Sequence, residues 1–327
     1  MLTAAIWGFG FVAQRFGMQY VGPFTYNGIR FILGSFSLLP LIAWRNNATQ
    51  NRGQAGNKQP EKKPWLFSSL LAGTCLFFGV TLQQLGIMAT TAGNAGFITG
   101  LYVILTPILG IFLGRQTGKA TWAGAVFTLT GLYFLSTTGL AHKINPGDIL
   151  IAVSAVFWAF HVLIIDRLVK NTDPVALASG QFAFAGLFAL AAAFLIEPGL
   201  SRWLRTLDPE FLSLGLFAWE SFPALINGLT SGTIPVSLVS SALVPILYGG
   251  LASVGIGYTL QVVAQRDAPP AHATIILCLE GSFAALGGVL ILHEPLGPRT
   301  IVGFALMLTG MLTSQWEQIS GRRQGKS

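Results

Sequence analysis

The stretch ATIILCLEGSFAALGG, residues 273–288, decides how the whole chain is read. It carries a single charge, Glu280, in the middle of an otherwise uncharged run. Crossing the hydrocarbon of a bilayer takes about 20 apolar residues, and the run extends to roughly 271–292. A carboxylate inside such a segment is costly and marks a functional candidate by default. One stretch thus points both to a membrane helix and to a residue with work to do.

The rest of the chain has the same character. It has 327 residues, 52% hydrophobic and 9% charged, with 39 Gly and a mean hydropathy of +0.64. Soluble domains are about 25% charged, so this chain lacks the charge to coat a globular surface. Abundant Gly suits close helix packing in lipid. The net charge of +7 reads as loop Lys and Arg orienting helices rather than as a nucleic-acid surface, because no basic patch is interleaved with aromatics. Cys75 and Cys278 fall inside apolar runs. They read as small core residues, not as a disulfide framework or a metal site. The opening run MLTAAIWGFGFV has neither a basic leader nor a small-residue cleavage site, so it reads as a retained first helix.

Ten segments qualify as spans: roughly 2–21, 22–44, 65–88, 92–114, 120–140, 148–168, 174–196, 240–264, 271–292 and 299–316. The loop 197–239 holds a part-apolar piece, EFLSLGLFAWESFPALI, containing Glu210, Glu220 and Pro223. It reads as an interfacial helix on the membrane surface rather than an eleventh span. With ten spans, thirteen Lys and Arg residues fall on one side and four on the other, while Arg15 and Arg30 lie inside spans. Positive residues stay cytoplasmic, so both termini are expected there.

The chain also repeats itself. VTLQ at 80–83 aligns with YTLQ at 258–261, LTGL at 129–132 with LTGM at 308–311, and AIWGF at 5–9 with VFWAF at 156–160. This divides it into a first five-helix repeat, 1–144, a second, 145–318, and a tail, 319–327. Five is odd, so the second repeat enters the membrane inverted. Inverted repeats are the sequence mark of alternating-access transporters. The expected fold is an all-α integral membrane protein of ten transmembrane helices in two inverted five-helix repeats.

Four stretches resemble the EamA-type transporters of the drug/metabolite transporter superfamily: IWGFGFVAQRFG (6–17), PFTYNGIRF (23–31), TTAGNAGFITGLYVILTPILG (90–110) and CLEGSFAALGGVLILHEPLGPRTIVGFALMLTG (278–310). The resemblance covers nearly the whole chain, with the long 197–239 loop as the main departure. It implies bacterial carriers of ten helices in two five-helix repeats that move small metabolites, commonly amino acids or toxic compounds, without ATP.

The polar residues inside spans are the candidate site. Arg15 and Arg30 lie at similar depth, roughly 10–12 Å below the outer boundary at 1.5 Å per residue. They could bind a substrate carboxylate, pair with Glu280, or tie helix ends together. Glu280 lies near the midplane, aligned with Tyr102 of the first repeat. It could couple protons, hold a substrate amine, pair with an arginine, or be a protonated structural group. His161 follows Trp158 by three residues on one helix and could titrate near neutral pH or simply brace helices. Trp7 and Trp158 are repeat-related, as are Gln83 and Gln261. The indoles could stack on substrate, the amides could bind a zwitterion, and either pair could be packing. His272 reads as a contact at a helix start, and His293 with Glu294 as a helix-end contact. Gly96, Gly100, Gly110 and Gly114 read as small faces for packing, and Pro107 as a kink.

No nucleophile–base pair, HExxH, facing acid pair, filter-like loop or Walker motif is present in the sequence. An intramembrane enzyme, a channel and an ATP-driven pump are therefore disfavoured, and no cofactor or metal is expected. Two arginines against one glutamate leave one excess positive charge. The expectation is a secondary exporter of amino acids or related anionic or zwitterionic compounds, with proton coupling possible. Export of toxic cations or drugs is the alternative. The oligomeric state stays open, a monomer being compatible.

Overall fold

The computed structural model describes residues 1–18, 20–51, 65–89, 92–135, 146–197, 236–292 and 297–324. The loop expected to carry an interfacial helix lies outside the described residues except at its first and last few positions, as do His293 and Glu294. Every regular element among the described residues is helical. In chain order these are α1 (Leu2–Gly17), α2 (Pro23–Asn51), α3 (Trp65–Ala89), α4 (Ala92–Thr99), α5 (Tyr102–Phe112), α6 (Lys119–Leu135), α7 (Pro146–Leu168), α8 (Pro174–Leu195) and α9 (Val236–Leu247). A π-helical segment, Tyr248–Tyr258, follows, then α10 (Thr259–Ala264), α11 (Pro270–Leu277), α12 (Leu279–Leu292) and α13 (Pro298–Gln324).

Among the described residues, six helical spans are long and apolar enough to cross a membrane: Pro23–Asn47, Trp65–Ala89, Ala95–Phe112, Pro146–Leu168, Pro174–Leu195 and Ala242–Ala264. Leu2–Gln14 and Ile301–Ser314 are apolar but shorter. Large apolar side chains such as Phe36, Phe112, Phe194 and Trp316 stand exposed, as they would against lipid rather than water. The chain is a multi-pass membrane protein, helical throughout its described elements.

Several boundaries differ from the sequence reading. α2 runs on to Asn51, well past the apolar stretch, because its polar end faces no hydrocarbon limit. The ninth apolar run is two helices, α11 and α12, joined at Cys278. The fourth is likewise divided, at Gly100–Leu101, and the helix then continues through Pro107. Proline's missing N–H is therefore not what interrupts it. Gly114 is not a packing face either. Its φ of +74° and the absence of any neighbour within 4 Å of a would-be Cβ make it the left-handed residue that ends α5. The N–H of Gly114 donates to Ile111 O, and that of Arg115 to Gly110 O, a glycine-terminated helix end.

The chain forms two compact units. The first comprises Met1–Val12, Leu82–Arg167 and Ala264–Ser327, the second Ala13–Thr81 and Leu168–Val263. In the first, α6 and α13 run against each other at glycines. A Cβ on Gly124 would lie 2.6 Å from Gly310 O, and one on Gly131 2.7 Å from Gly303 O. In the second, α2 and α8 are packed as closely: Ser35 Oγ donates to Ser179 O at 2.9 Å, and a Cβ on Gly186 would meet Ile32. In lipid no hydrophobic force drives helices together, so dispersion across such close backbones supplies the attraction.

Candidate functional site

In the first unit Gln83, Tyr102 and Glu280 gather around two short turns. At Gly100–Leu101, Leu101 N donates to Ile98 O and Val103 N to Gly100 O; at Cys278, Gly281 N donates to Cys278 O. These i to i+3 bonds, with Leu101 at φ −56°, ψ −23° and Cys278 at φ −59°, ψ −15°, are single 3₁₀ turns inside otherwise α-helical runs. Mid-helix 3₁₀ often marks a hinge. The two turns touch, with Cys278 Sγ donating to Gly100 O at 3.7 Å. Gly96 leaves room for Gly281, whose Cα would be 3.9 Å from a Cβ there. Gly100 and Cys278 are 178 residues apart, the offset that aligns VTLQ at 80–83 with YTLQ at 258–261.

Glu280 sits in the first turn of α12, directly after this crossing. It is 8% exposed and makes no hydrogen bond or ion pair with any described residue. Tyr102, its aligned counterpart, is also buried and its side chain interacts with the Cys278 thiol, so the structure brings both to one cluster. Gln83 Nε2 donates to Thr99 Oγ1 at 3.1 Å, bracing the residue before Gly100. Trp7 precedes Gly8, where α1 meets α12: a Cβ on Gly8 would lie 2.7 Å from Glu280 O. Trp158 and His161 form an edge-on pair on α7, 6.0 Å between centroids at 87°. A cleft of about 300 Å³ is lined by Thr106, Arg115, Thr121 and His272 among others. His272 Nε2 lies 3.3 Å from Thr121 Oγ1, as expected for a helix-start contact, and Arg115 pairs with the buried Asp166.

The second unit holds Arg30 and Gln261, both buried. Arg15 lies on α1, and its side chain is outside the described residues. Arg30 is 2% exposed. Its Nε donates to Asn27 Oδ1 at 3.0 Å, and its guanidinium lies 5.4 Å from the Tyr26 ring and 5.0 Å from the Phe31 ring. No carboxylate pairs with it among the described residues. Burying an ion without a counter-ion costs several kcal/mol, and cation–π contacts return only about 0.5–2 kcal/mol each.

The sequence reading missed Glu197. Fully buried, its carboxylate accepts from Phe24 N at 2.8 Å, Thr25 N at 2.9 Å and Thr25 Oγ1 at 2.7 Å. These are the second and third residues of α2, whose cap position is Gly22. Glu197 thus replaces the missing cap side chain from the far end of α8. A Cβ on Gly22 would fall 2.5 Å from Glu197 Oε1, so the cap position must be glycine for the carboxylate to enter. The available signal was a helix start with no side chain able to cap it. Glu197 lies beyond the end of the Pro174–Leu195 span. Burial pushes its carboxyl up from 4.5 to about 7, and the hydrogen bonds from Thr25 and Phe24 offset only part of this. A raised folded-state value means the folded protein holds the proton more tightly than the unfolded chain. Stability from this group is then full below about 4.5 and is lost as pH rises through about 7. Melting curves from pH 4.5 to 8 should show a fall in Tm that Glu197→Gln removes. A Gln variant with the same pH slope as the wild type would contradict this.

Membrane helices that bury polar groups between them frame a membrane protein, and its relatives make the class a membrane transporter. The comparisons place it further. The EamA-like transporter family matches residues 1–137 and 214–314, and the chain belongs to this family. It is 28% identical over 313 residues, 95% of this chain and 82% of the relative, to an uncharacterized transporter of Archaeoglobus fulgidus. It is 25% identical to the uncharacterized inner membrane transporter YedA of Escherichia coli K12, over 77% of this chain and 79% of that one. With the uncharacterized transporter YwfM of Bacillus subtilis it shares 23% identity over 95% and 90% of the two chains. A crystal structure at 16% identity covers 99% of this chain and 96% of its own, with a TM-score of 0.66, a likeness of fold.

Proposed function

We propose that the chain is a secondary transporter, driven by a gradient rather than by ATP, that exports amino acids or related anionic or zwitterionic metabolites by alternating access. The observation that carries this reading is Glu280, a buried carboxylate without a partner among the described residues, beside two touching 3₁₀ turns. An unpaired buried carboxylate is expensive to keep, and a substrate amine or a transported proton would neutralise it for part of each cycle. The paired turns at positions related by the sequence repeat support an arrangement of ten spans in two inverted five-helix repeats, and the Lys and Arg bias supports cytoplasmic termini. Trp7, Gln83 and Tyr102 lie on the same unit and are the candidate co-ligands there. Export of toxic cations or drugs is the second reading, since a lone carboxylate could serve a cation equally well.

Transport into inverted membrane vesicles, with a panel of amino acids, organic acids, sugars and organic cations, tests the proposal. Saturable uptake of amino or organic acids, abolished by an uncoupler, is the expected result; uptake confined to cations would favour the second reading. For topology, Arg52→Cys should be labelled from the cytoplasmic face and Arg205→Cys from the outer face. The reverse pattern would overturn the charge argument.

A further inference from the structure

The Asn27–Arg30 pair carries a more specific statement about what is bound. Asn27 and Arg30 are one helical turn apart on α2, 0% and 2% exposed. The hydrogen bond between them, Arg30 Nε to Asn27 Oδ1, has two effects. It fixes the plane of the guanidinium. It also orients the amide, whose Nδ2 is buried with no hydrogen-bond partner among the described residues. The two Nη groups of Arg30 likewise have no acceptor among the described residues. The stem is held from behind: a Cβ on Gly249 would lie 3.3 Å from Arg30 Cδ, so the π-helical segment packs directly against it. Tyr26, one of the two rings against the guanidinium, spends its hydroxyl on Pro245 O at 3.1 Å. Donors are present in surplus, acceptors are spent, and the geometry is fixed in advance.

We infer that Asn27 and Arg30 form a binding site for one carboxylate group of the transported molecule. This rests on the transporter reading and names the chemistry of its substrate. A guanidinium always carries its charge, and buried donors without acceptors are rare in folded proteins. A planar, two-oxygen monoanion matches the outer fork of Arg30, with Asn27 Nδ2 as a further donor. A phosphate monoester fits less well, because its second charge has no cation among the described residues of this cluster. The Phe31, Phe182 and Tyr258 rings, 5.8–6.2 Å apart by centroid, form the apolar backing that excludes water from the ion.

The test is binding, so it does not depend on transport being observed. Wild-type protein in nanodiscs of phosphatidylcholine is titrated with L-amino acids and simple organic acids, followed by thermal shift and calorimetry. Each ligand that binds is repeated as its methyl ester, which keeps the skeleton and removes the charge. The expected result is that carboxylates stabilise the protein and their esters do not. Asn27→Ala should weaken binding roughly ten-fold, and Arg30→Gln should abolish it. Arg30→Lys, which keeps the charge but loses the fork, should bind far more weakly than wild type. If the arginine variants fail to fold, Asn27→Ala with the ester comparison still decides. Equal binding of acid and ester, no carboxylate binding at all, or full binding by Arg30→Gln would overturn the inference. So would stabilisation only by added phosphatidylglycerol, lost in Arg30→Gln, which would make the ligand a lipid headgroup phosphate. Carboxylate binding without transport would leave this site standing and count against the transporter reading alone.

Discussion

Replacing Glu280 with Gln should lower transport by roughly 10–100-fold while leaving the protein inserted and folded. The size follows from the interaction lost. Hydrogen bonds to charged groups contribute about 1.5–3 kcal/mol, and each 1.4 kcal/mol is about ten-fold. The stability change should have the opposite sign. The carboxylate has no partner among the described residues and is 8% exposed, so the folded protein gains nothing from its charge. A neutral amide of the same shape should leave Tm unchanged or raise it. A structural, hydrogen-bonded glutamate predicts the converse, a lower Tm with transport little altered. Substrate flux in vesicles and melting curves on the same preparation separate the two. Unchanged flux with its pH dependence intact would make Glu280 a structural part.

The second large effect is expected at Gly8. A Cβ there would lie 2.4 Å from Phe283 Cβ, 2.7 Å from Ala284 N and 2.7 Å from Glu280 O. Two of these three atoms are backbone, which cannot rotate away. Gly8→Ala must therefore push α1 and α12 apart at the level of Glu280. Overpacking of this kind costs about 1–3 kcal/mol, which should appear as a Tm lower by several degrees. Transport should fall with it, because the crossing of α1 and α12 sets where the carboxylate and Trp7 stand. Gly297→Ala is the control, since nothing lies within 4 Å of a Cβ at that position. Equal Tm and flux in the two variants would show that the close approach at Gly8 is not needed.

Hydrophobic runs and one misplaced charge made the membrane class legible in the sequence. A bilayer imposes a length and a composition on each span, and both can be counted along the chain. Arg30, Glu280, Tyr102 and Gln83 were singled out for the same reason: polar groups stand out against an apolar background. The self-alignment at an offset of 178 residues gave the pairing of Tyr102 with Glu280, though not that both would gather at Cys278.

Other features depend on residues far apart in the chain. Glu197 looked like an unremarkable loop acid after a span, because its role is to cap a helix that starts 174 residues earlier. Asn27 was passed over because an amide near a helix start has many uses, and only its bond to Arg30 shows which oxygen is spent and which nitrogen is not. The 3₁₀ turns at Gly100–Leu101 and Cys278 have no proline to announce them, since Pro107 lies six residues beyond the first. Gly114 illustrates the same limit, since spacing alone cannot tell a glycine that packs from one that turns. The sequence by itself determined the solvent, the helices and the buried charges, because these follow from local composition. Tertiary structure decided which charges are compensated, since compensation needs a partner within about 3 Å and the chain does not record such distances.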